Sequence, residues 1–359
     1  MDNVQTFWPN SFSTFQKPVP WDEVRAGIKE GGIFGCKEGY NLLHAFVQAR
    51  NKPAVEFLLY KGNRLRYAFL HAKTKSEGLT PLHLAAQYPD AEIFELLLIN
   101  GADSLATDKN GVSPWAMAIK AGNEELVNLL IAVVPENLNH LISTGTGRPL
   151  KPIAYAIECH NKSLVNLLLD REAEIEGMDG AGNTPLMTAL HVKDLEIATI
   201  LINKGADILA TNERNETPLV IAVKTGSDEI FNFILEKQPE IETKTVDNET
   251  ALLIATRMGK LTMVKALLEK GADPMSDYEP GASPLDVARA AKHTGIMKLL
   301  YDARATRKTG TRQRNQYDDE LDRKVKAELA KEKKDQLKVD RVGDFNYKLS
   351  KGGLRYGSK

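Results

Sequence analysis

The chain is poor in cysteine, with only Cys36 and Cys159 among its 359 residues. Two cysteines provide neither a disulfide framework nor a four-cysteine zinc site. No apolar run approaches the roughly 20 residues that a membrane-spanning helix needs. The first residues also lack the basic start and apolar stretch of a secretory signal. These absences favour a reducing, cytoplasmic location.

The chain also lacks net charge: 47 lysines and arginines oppose 48 acidic residues, for a formal sum of -1. This sum hides two opposite parts. Residues 304–359 hold 17 basic and 9 acidic residues, a net of +8, whereas the remainder holds 30 and 39, a net of -9. Only the tail is therefore a candidate for binding nucleic acid or an anionic membrane.

Motifs of catalysis are missing as well. No pair of residues has the HExxH or CxxC spacing of a metal site. The glycine-rich stretches 27–35 and 144–148 lack the Lys-Ser/Thr of a phosphate-binding loop. Cys159 and His160 are neighbours in sequence, which rarely face each other on a helix, so we expect a buried thiol. We predict no catalytic, cofactor-binding or metal-binding residue and no small-molecule substrate.

What the chain does have is an internal repeat. The pattern Thr80-Pro81-Leu82-His83 returns as Thr184-Pro185-Leu186 and Thr217-Pro218-Leu219, and looser copies occur before, between and after them. If the proline position is taken as a marker, eight copies stand at 42, 81, 114, 152, 185, 218, 251 and 284, here called repeats 1 to 8. The spacings are 39, 33, 38, 33, 33, 33 and 33, and an apolar pair follows each marker after 16 and 17 residues.

Each copy predicts two helices. Thr or Ser before Pro is typical of a helix start, because the hydroxyl caps free N–H groups and Pro is tolerated at the first position. In repeat 2 this predicts helix A over about 81–88 and helix B over about 91–100, ended by Gly101. The polar segment 102–111 then forms an extended finger. One helix pair cannot bury its apolar face alone, so the units must stack.

These features resemble the ankyrin-repeat family, whose period is 33 and whose signature is T-P-L-H-x-A, over about residues 36–303. Departures are Asn41-Leu42 in repeat 1, Ala251 in repeat 7 and the missing Gly-Ala-Asp after repeats three, six and eight. The resemblance implies an all-α solenoid of stacked helix pairs with hairpin-like fingers, helix A lining the concave side and helix B the convex side. His44 and His83 would form hydrogen bonds between repeats.

Three regions depart from the repeat. Residues 1–35 carry six aromatic residues and are predicted to cap repeat 1. The long spacings place added residues in loops at 62–78 and 134–148, which either contact a partner or have drifted without function. The tail, 304–359, is basic and partly helical or flexible, and Leu321, Val325 and Leu329 favour one exposed helix within 317–339.

A solenoid without chemistry is suited to binding. The candidate residues stand at finger tips and at the exposed end of helix A, where packing does not dictate identity, and Tyr88, Arg214 and Arg257 rank first. Trp115, in a leucine position, is predicted to lie in the core. The full set is Gln87, Tyr88, Lys109, Asn110, Val112, Lys120, His191, Glu213, Arg214, Glu216, Lys224, Asp247, Arg257 and Met258.

Three functions follow as hypotheses. The first is a non-enzymatic adaptor that holds a protein partner on the concave surface. The second is association with nucleic acid or an anionic membrane through residues 304–359. The third is a translocated effector of an intracellular bacterium that acts on host proteins in the host cytoplasm, which is a known use of divergent arrays of this family.

Overall fold

The computed structural model describes residues 41–61, 66–88, 90–275, 283–306, 320 and 323–334. The aromatic segment 1–35, Cys36 and the end of the tail lie outside the described residues. Within them, the regular elements are helices, accompanied by two isolated antiparallel bridges. None of the described helices combines the length and the apolar character that a bilayer span requires.

The eight predicted helix pairs are confirmed. Helix A spans, from repeat 1 to repeat 8, Leu42–Gln48, Pro81–Gln87, Pro114–Lys120, Pro152–Glu158, Pro185–His191, Pro218–Thr225, Ala251–Arg257 and Pro284–Ala290. Helix B spans Lys52–Lys61, Ala91–Ile99, Glu124–Val133, Lys162–Asp170, Leu195–Asn203, Asp228–Leu235, Leu261–Glu269 and Thr294–Thr306.

Side chains before each helix explain where it begins. Thr80 caps helix A of repeat 2 by accepting from the His83 N–H, while the His83 ring accepts from the Thr80 N–H, which completes a capping box. Helix B often begins after an Asn or Asp, as at Asp194, whose carboxylate accepts from the Ile197 N–H at 3.0 Å. The starts are therefore fixed locally by short-range hydrogen bonds.

Helix B ends at a left-handed residue in most repeats. Gly101, Gly205 and Gly271 have φ angles of 90°, 98° and 97° at the position 20 residues after the marker. Glu172 and Gln238 occupy the same position in repeats 4 and 6, with φ angles of 66° and 57°. The backbone thus adopts the same left-handed turn where glycine is absent, and the Cβ of Glu172 or Gln238 makes that conformation sterically strained.

The chain divides into two compact units, residues 1–213 and 214–359. In each, the helices A of neighbouring repeats pack together and bury the residue that follows the marker. This residue is 0% to 1% exposed in every repeat: Leu43, Leu82, Trp115, Ile153 and Leu186 in the first unit, and Leu219, Leu252 and Leu285 in the second. The prediction that Trp115 belongs to the core is confirmed.

Both insertions lie outside the helix pairs, and each contains a helical turn that the sequence did not predict. Residues Arg66–His71 form a short helix that buries Phe69 and Leu70 and touches helix A of repeats 1 and 2. The second insertion begins with a 3-10 helix, Pro135–Asn139, and continues into a finger closed by the Ile142–Leu150 bridge. Apolar side chains of each insertion are buried against neighbouring residues, and this packing stabilises the local turns.

A helix follows repeat 8 at residues 323–334. It was predicted to be exposed, but Val325 is fully buried. The Glu328 carboxylate lies 3.5 Å from Nη1 of Arg289, and the Lys326 ammonium lies 5.9 Å from the centre of the Tyr301 ring. The helix therefore packs on the last repeat, whose far side would otherwise expose apolar surface.

Candidate partner-binding face

Histidine links successive repeats at the start of helix A. Nε2 of His44 lies 3.0 Å from the carbonyl of Leu79, and Nε2 of His83 lies 3.0 Å from the carbonyl of Val112. Burial lowers the pKa of His44 to about 4 and also lowers the pKa of His83. Both rings are therefore neutral near pH 7 and donate through Nε2. The predicted hydrogen bonds between repeats are confirmed.

Neighbouring fingers are joined by backbone hydrogen bonds. The Lys109 N–H donates to the Glu77 carbonyl at 2.8 Å, and the Val246 N–H donates to the Arg214 carbonyl at 2.9 Å. These bonds place successive finger tips side by side, so that their side chains form a row. The row and the ends of helix A make up the surface on which the sequence placed the candidate residues.

Most of the candidate residues lie at the surface. The exposed members are Gln87, Tyr88, Lys109, Asn110, Lys120, His191, Glu213, Arg214, Lys224, Asp247, Arg257 and Met258. Whether they bind a partner stays a prediction. The set spans both compact units, so it is two groups of residues, one on each unit.

Two candidates are not surface residues. Val112 is half-buried, and its backbone accepts from His83 and donates to Asp108 at 2.8 Å. Glu216 is 6% exposed and forms an ion pair with Lys224. The expectation that these two side chains are freely presented was therefore wrong, because each stabilises the finger or helix beside it.

The ion pair of repeat 6 recurs in repeat 7. Arg257 pairs with Glu249, each 33 residues after Lys224 and Glu216. The cation is the last or next-to-last residue of helix A, and the carboxylate precedes the helix by two residues. The cationic side chain therefore extends back along the exposed side of helix A. Sequence reasoning did not predict this pairing.

Apolar residues accompany the charges. Tyr88 and Met258, which are 36% and 40% exposed, occupy the same position directly after helix A in repeats 2 and 7. Val246, 64% exposed at a finger tip, was missed by sequence reasoning. A β-branched residue at a polar turn is the signal that could have found it. Such exposed apolar groups are typical of interaction surfaces when they cluster.

Cys159 and His160 do not form a thiolate–imidazole pair. Nδ1 of His160 lies 2.9 Å from the Asp194 carboxylate of the next repeat. Burial raises the pKa of the Cys159 thiol, which is the opposite of what a reactive thiolate requires. Cys159 is half-buried rather than buried, contrary to the expectation from sequence. In the described part of the chain, no three His, Cys, Asp or Glu side chains are grouped as a metal site would need.

Comparison with known proteins decides the family. The family model described as "Ankyrin repeats (3 copies)" matches residues 24–108, 84–179, 115–212, 153–245 and 219–309. The chain belongs to the ankyrin-repeat family. Arrays of ankyrin repeats are protein–protein interaction modules, and this chain carries such a module.

The curated relatives match less than half of this chain. Rabankyrin-5 from Homo sapiens is 31% identical over 166 residues, 44% of this chain and 14% of that protein. Neurogenic locus notch homolog protein 2 from Homo sapiens is 30% identical over 135 residues, 38% and 5%. The 2-5A-dependent ribonuclease from Homo sapiens is 36% identical over 89 residues, 25% and 11%. The chain thus spans a small part of the curated relatives that it matches.

Proposed function

We propose that the protein is a non-enzymatic adaptor that binds a protein partner on the concave ankyrin surface, through the helix A ends and finger tips of its units. The observation that carries the proposal is the distribution of buried and exposed residues along helix A. Helix A is buried along most of its length, and its last residue is the exposed one in repeats 1, 2, 3, 5, 7 and 8.

The surface has the composition of an interface. In the first unit exposed Tyr88 supplies apolar area, and in the second unit Met258 supplies apolar area and Arg257 a guanidinium; these residue types are enriched at protein interfaces. Hydrogen bonds between fingers and between repeats hold this surface rigid, which reduces the ordering entropy lost on binding.

Affinity capture with paired variants tests the proposal. The full chain carrying Tyr88→Ala and Met258→Ala should lose proteins that the unchanged chain captures. The expected loss of affinity is at least tenfold, which corresponds to about 1.4 kcal/mol or more of binding free energy. The control carries Tyr60→Ala and Ile99→Ala, which lie on helix B and are 80% and 59% exposed. Equal capture by both variants would reject the proposed face.

A second candidate function is anionic association through the tail. Lys324, Lys331, Lys333 and Lys334 are exposed on the helix at 323–334, which Val325 anchors to repeat 8. Deletion of the tail would remove this packing, so substitution of the four lysines by Gln is the cleaner test. Binding to duplex DNA or to phosphatidylserine vesicles should fall with salt and with the substitutions. Unchanged binding would reject this role.

The effector hypothesis stays a prediction.

A further inference from the structure

We propose that the helix A face of repeats 6 and 7 binds an acidic, extended segment of the protein partner, with one partner carboxylate on Lys224 and another on Arg257. This inference rests on the proposed function and names the chemistry of the partner for the second unit.

In both ion pairs of this face, the cation is more exposed than the carboxylate. In the Lys224–Glu216 pair the side-chain exposures are 35% for the cation and 7% for the carboxylate. In the Arg257–Glu249 pair they are 53% and 14%. By contrast, Lys265 and Glu269 on helix B are both 65% exposed. The carboxylates of the helix A face are therefore turned inward, and an approaching partner meets the cations.

The cations keep donors for a second carboxylate. A lysine ammonium has three N–H donors and an arginine guanidinium has five. The Nζ of Lys224 meets Oε1 of Glu216, and Nη2 of Arg257 meets Oε1 of Glu249. Each inner carboxylate fixes its cation in place, so that a partner carboxylate binds a group that is already ordered.

The repeat sets the spacing of the partner's acids. Packed helices lie about 8–10 Å apart, so cations at equivalent positions of neighbouring repeats are separated by about that distance. In a polyproline II segment, residues i and i+3 lie on one side of the chain and about 9 Å apart. Two acidic residues separated by two others therefore match Lys224 and Arg257.

An apolar position adjoins the cations. Met258 follows Arg257 directly and is 40% exposed. Its methyl carbon lies 3.6 Å from where a Cβ on Gly226 would stand, so its side chain reaches over the end of helix A in repeat 6. Thioether side chains adapt to varied apolar surfaces. The partner segment is thus expected to carry a Leu or Phe beside its acids.

Fluorescence anisotropy tests the inference with a labelled peptide that has two Glu residues at i and i+3, one adjacent Leu, and Pro or Ser elsewhere. The full chain should bind it with micromolar affinity, which weakens as salt rises. The same peptide with Gln for Glu should bind at least tenfold more weakly. Equal binding of the two peptides, or no binding of either, would overturn the inference.

Variants locate the site. Lys224→Gln with Arg257→Gln should weaken peptide binding at least tenfold, and Lys265→Gln should leave it unchanged. Because the first change removes the Lys224 and Arg257 partners of Glu216 and Glu249, a second variant also carries Glu216→Gln and Glu249→Gln and should show the same loss. Thermal melts confirm that each variant is folded. Unchanged affinity in the fourfold variant contradicts the inference.

The two proposals fail separately. Loss of partner capture in the Tyr88 and Met258 variant, together with peptides that do not discriminate charge, would leave the adaptor function standing and remove the acidic partner. Unchanged capture in that variant would remove the adaptor face whatever the peptide does.

Discussion

His160 and Asp194 join repeats 4 and 5, with Nδ1 of the imidazole 2.9 Å from the carboxylate. Asp194 also caps helix B of repeat 5. Burial raises the pKa of Asp194, but the Ile197 N–H and the His160 ring lower it further, so the net shift is downward. The carboxylate is therefore ionised near pH 7. It both caps helix B of repeat 5 and contacts His160 of repeat 4.

Substitution of Asp194 should separate these two roles. Asp194→Ala removes the cap and the hydrogen bond with His160 and should lower the free energy of unfolding by about 1–2 kcal/mol. Asp194→Asn keeps a capping oxygen and should lower it by less than about 1 kcal/mol, because His160 is mostly exposed. Urea denaturation followed by circular dichroism measures both. Equal losses for the two variants would show that the cap contributes nothing.

Acid should weaken the first repeats through His44. Its pKa is about 4 in the folded chain, whereas the ordinary pKa of a histidine, which applies to the unfolded chain, is 6.5. The unfolded chain therefore binds more protons between these values, and stability falls as the pH drops from about 6.5 to about 4. For this one imidazole the loss is on the order of 3 kcal/mol. His83 acts in the same direction.

The variant His44→Gln tests this effect. A Gln side chain can donate to the Leu79 carbonyl but does not titrate in this range. The variant should be less stable than the unchanged chain at pH 7 and should lose less stability on going to pH 5. Urea denaturation at the two pH values measures the difference. If the variant loses as much stability between pH 7 and pH 5 as the unchanged chain does, His44 is not the source of the pH dependence.

Glycine should stabilise the chain where a left-handed residue now has a side chain. Gln238→Gly relieves the steric strain at a φ of 57° and should raise the free energy of unfolding by about 1 kcal/mol. Gly205→Ala should lower it by a similar amount, because no atom lies within 4 Å of the added Cβ and the loss comes from the backbone alone. Thermal melts of both variants check the opposite signs.

The helix at 323–334 should stabilise the second unit. Val325→Ala removes buried apolar volume and should lower the free energy of unfolding by about 1–3 kcal/mol. Lys324→Ala removes an exposed pair with Glu320 and should leave the free energy of unfolding nearly unchanged. Denaturation curves for the two variants compare them. Equal effects would mean that the helix does not cap repeat 8.

The sequence predicted the helix pairs because their determinants are local. Thr80 and Pro81 mark a helix start without reference to the rest of the chain. Burial of Val325 could not be read in the same way, since it depends on a surface of repeat 8. The pairing of Lys224 with Glu216 was missed because eight residues separate them across a helix start, whereas the familiar pairs are three or four apart.

The two insertions enter at the same point of the repeat, between helix B and the finger that follows. The helix pairs before and after each insertion keep their bounds, so repeat length and repeat packing are independent at this junction. This independence makes the junction a permissive site for protein engineering. A reporter peptide or a grafted recognition loop placed within the exposed residues 146–148 would extend the finger without disturbing the buried side chains that hold the stack together.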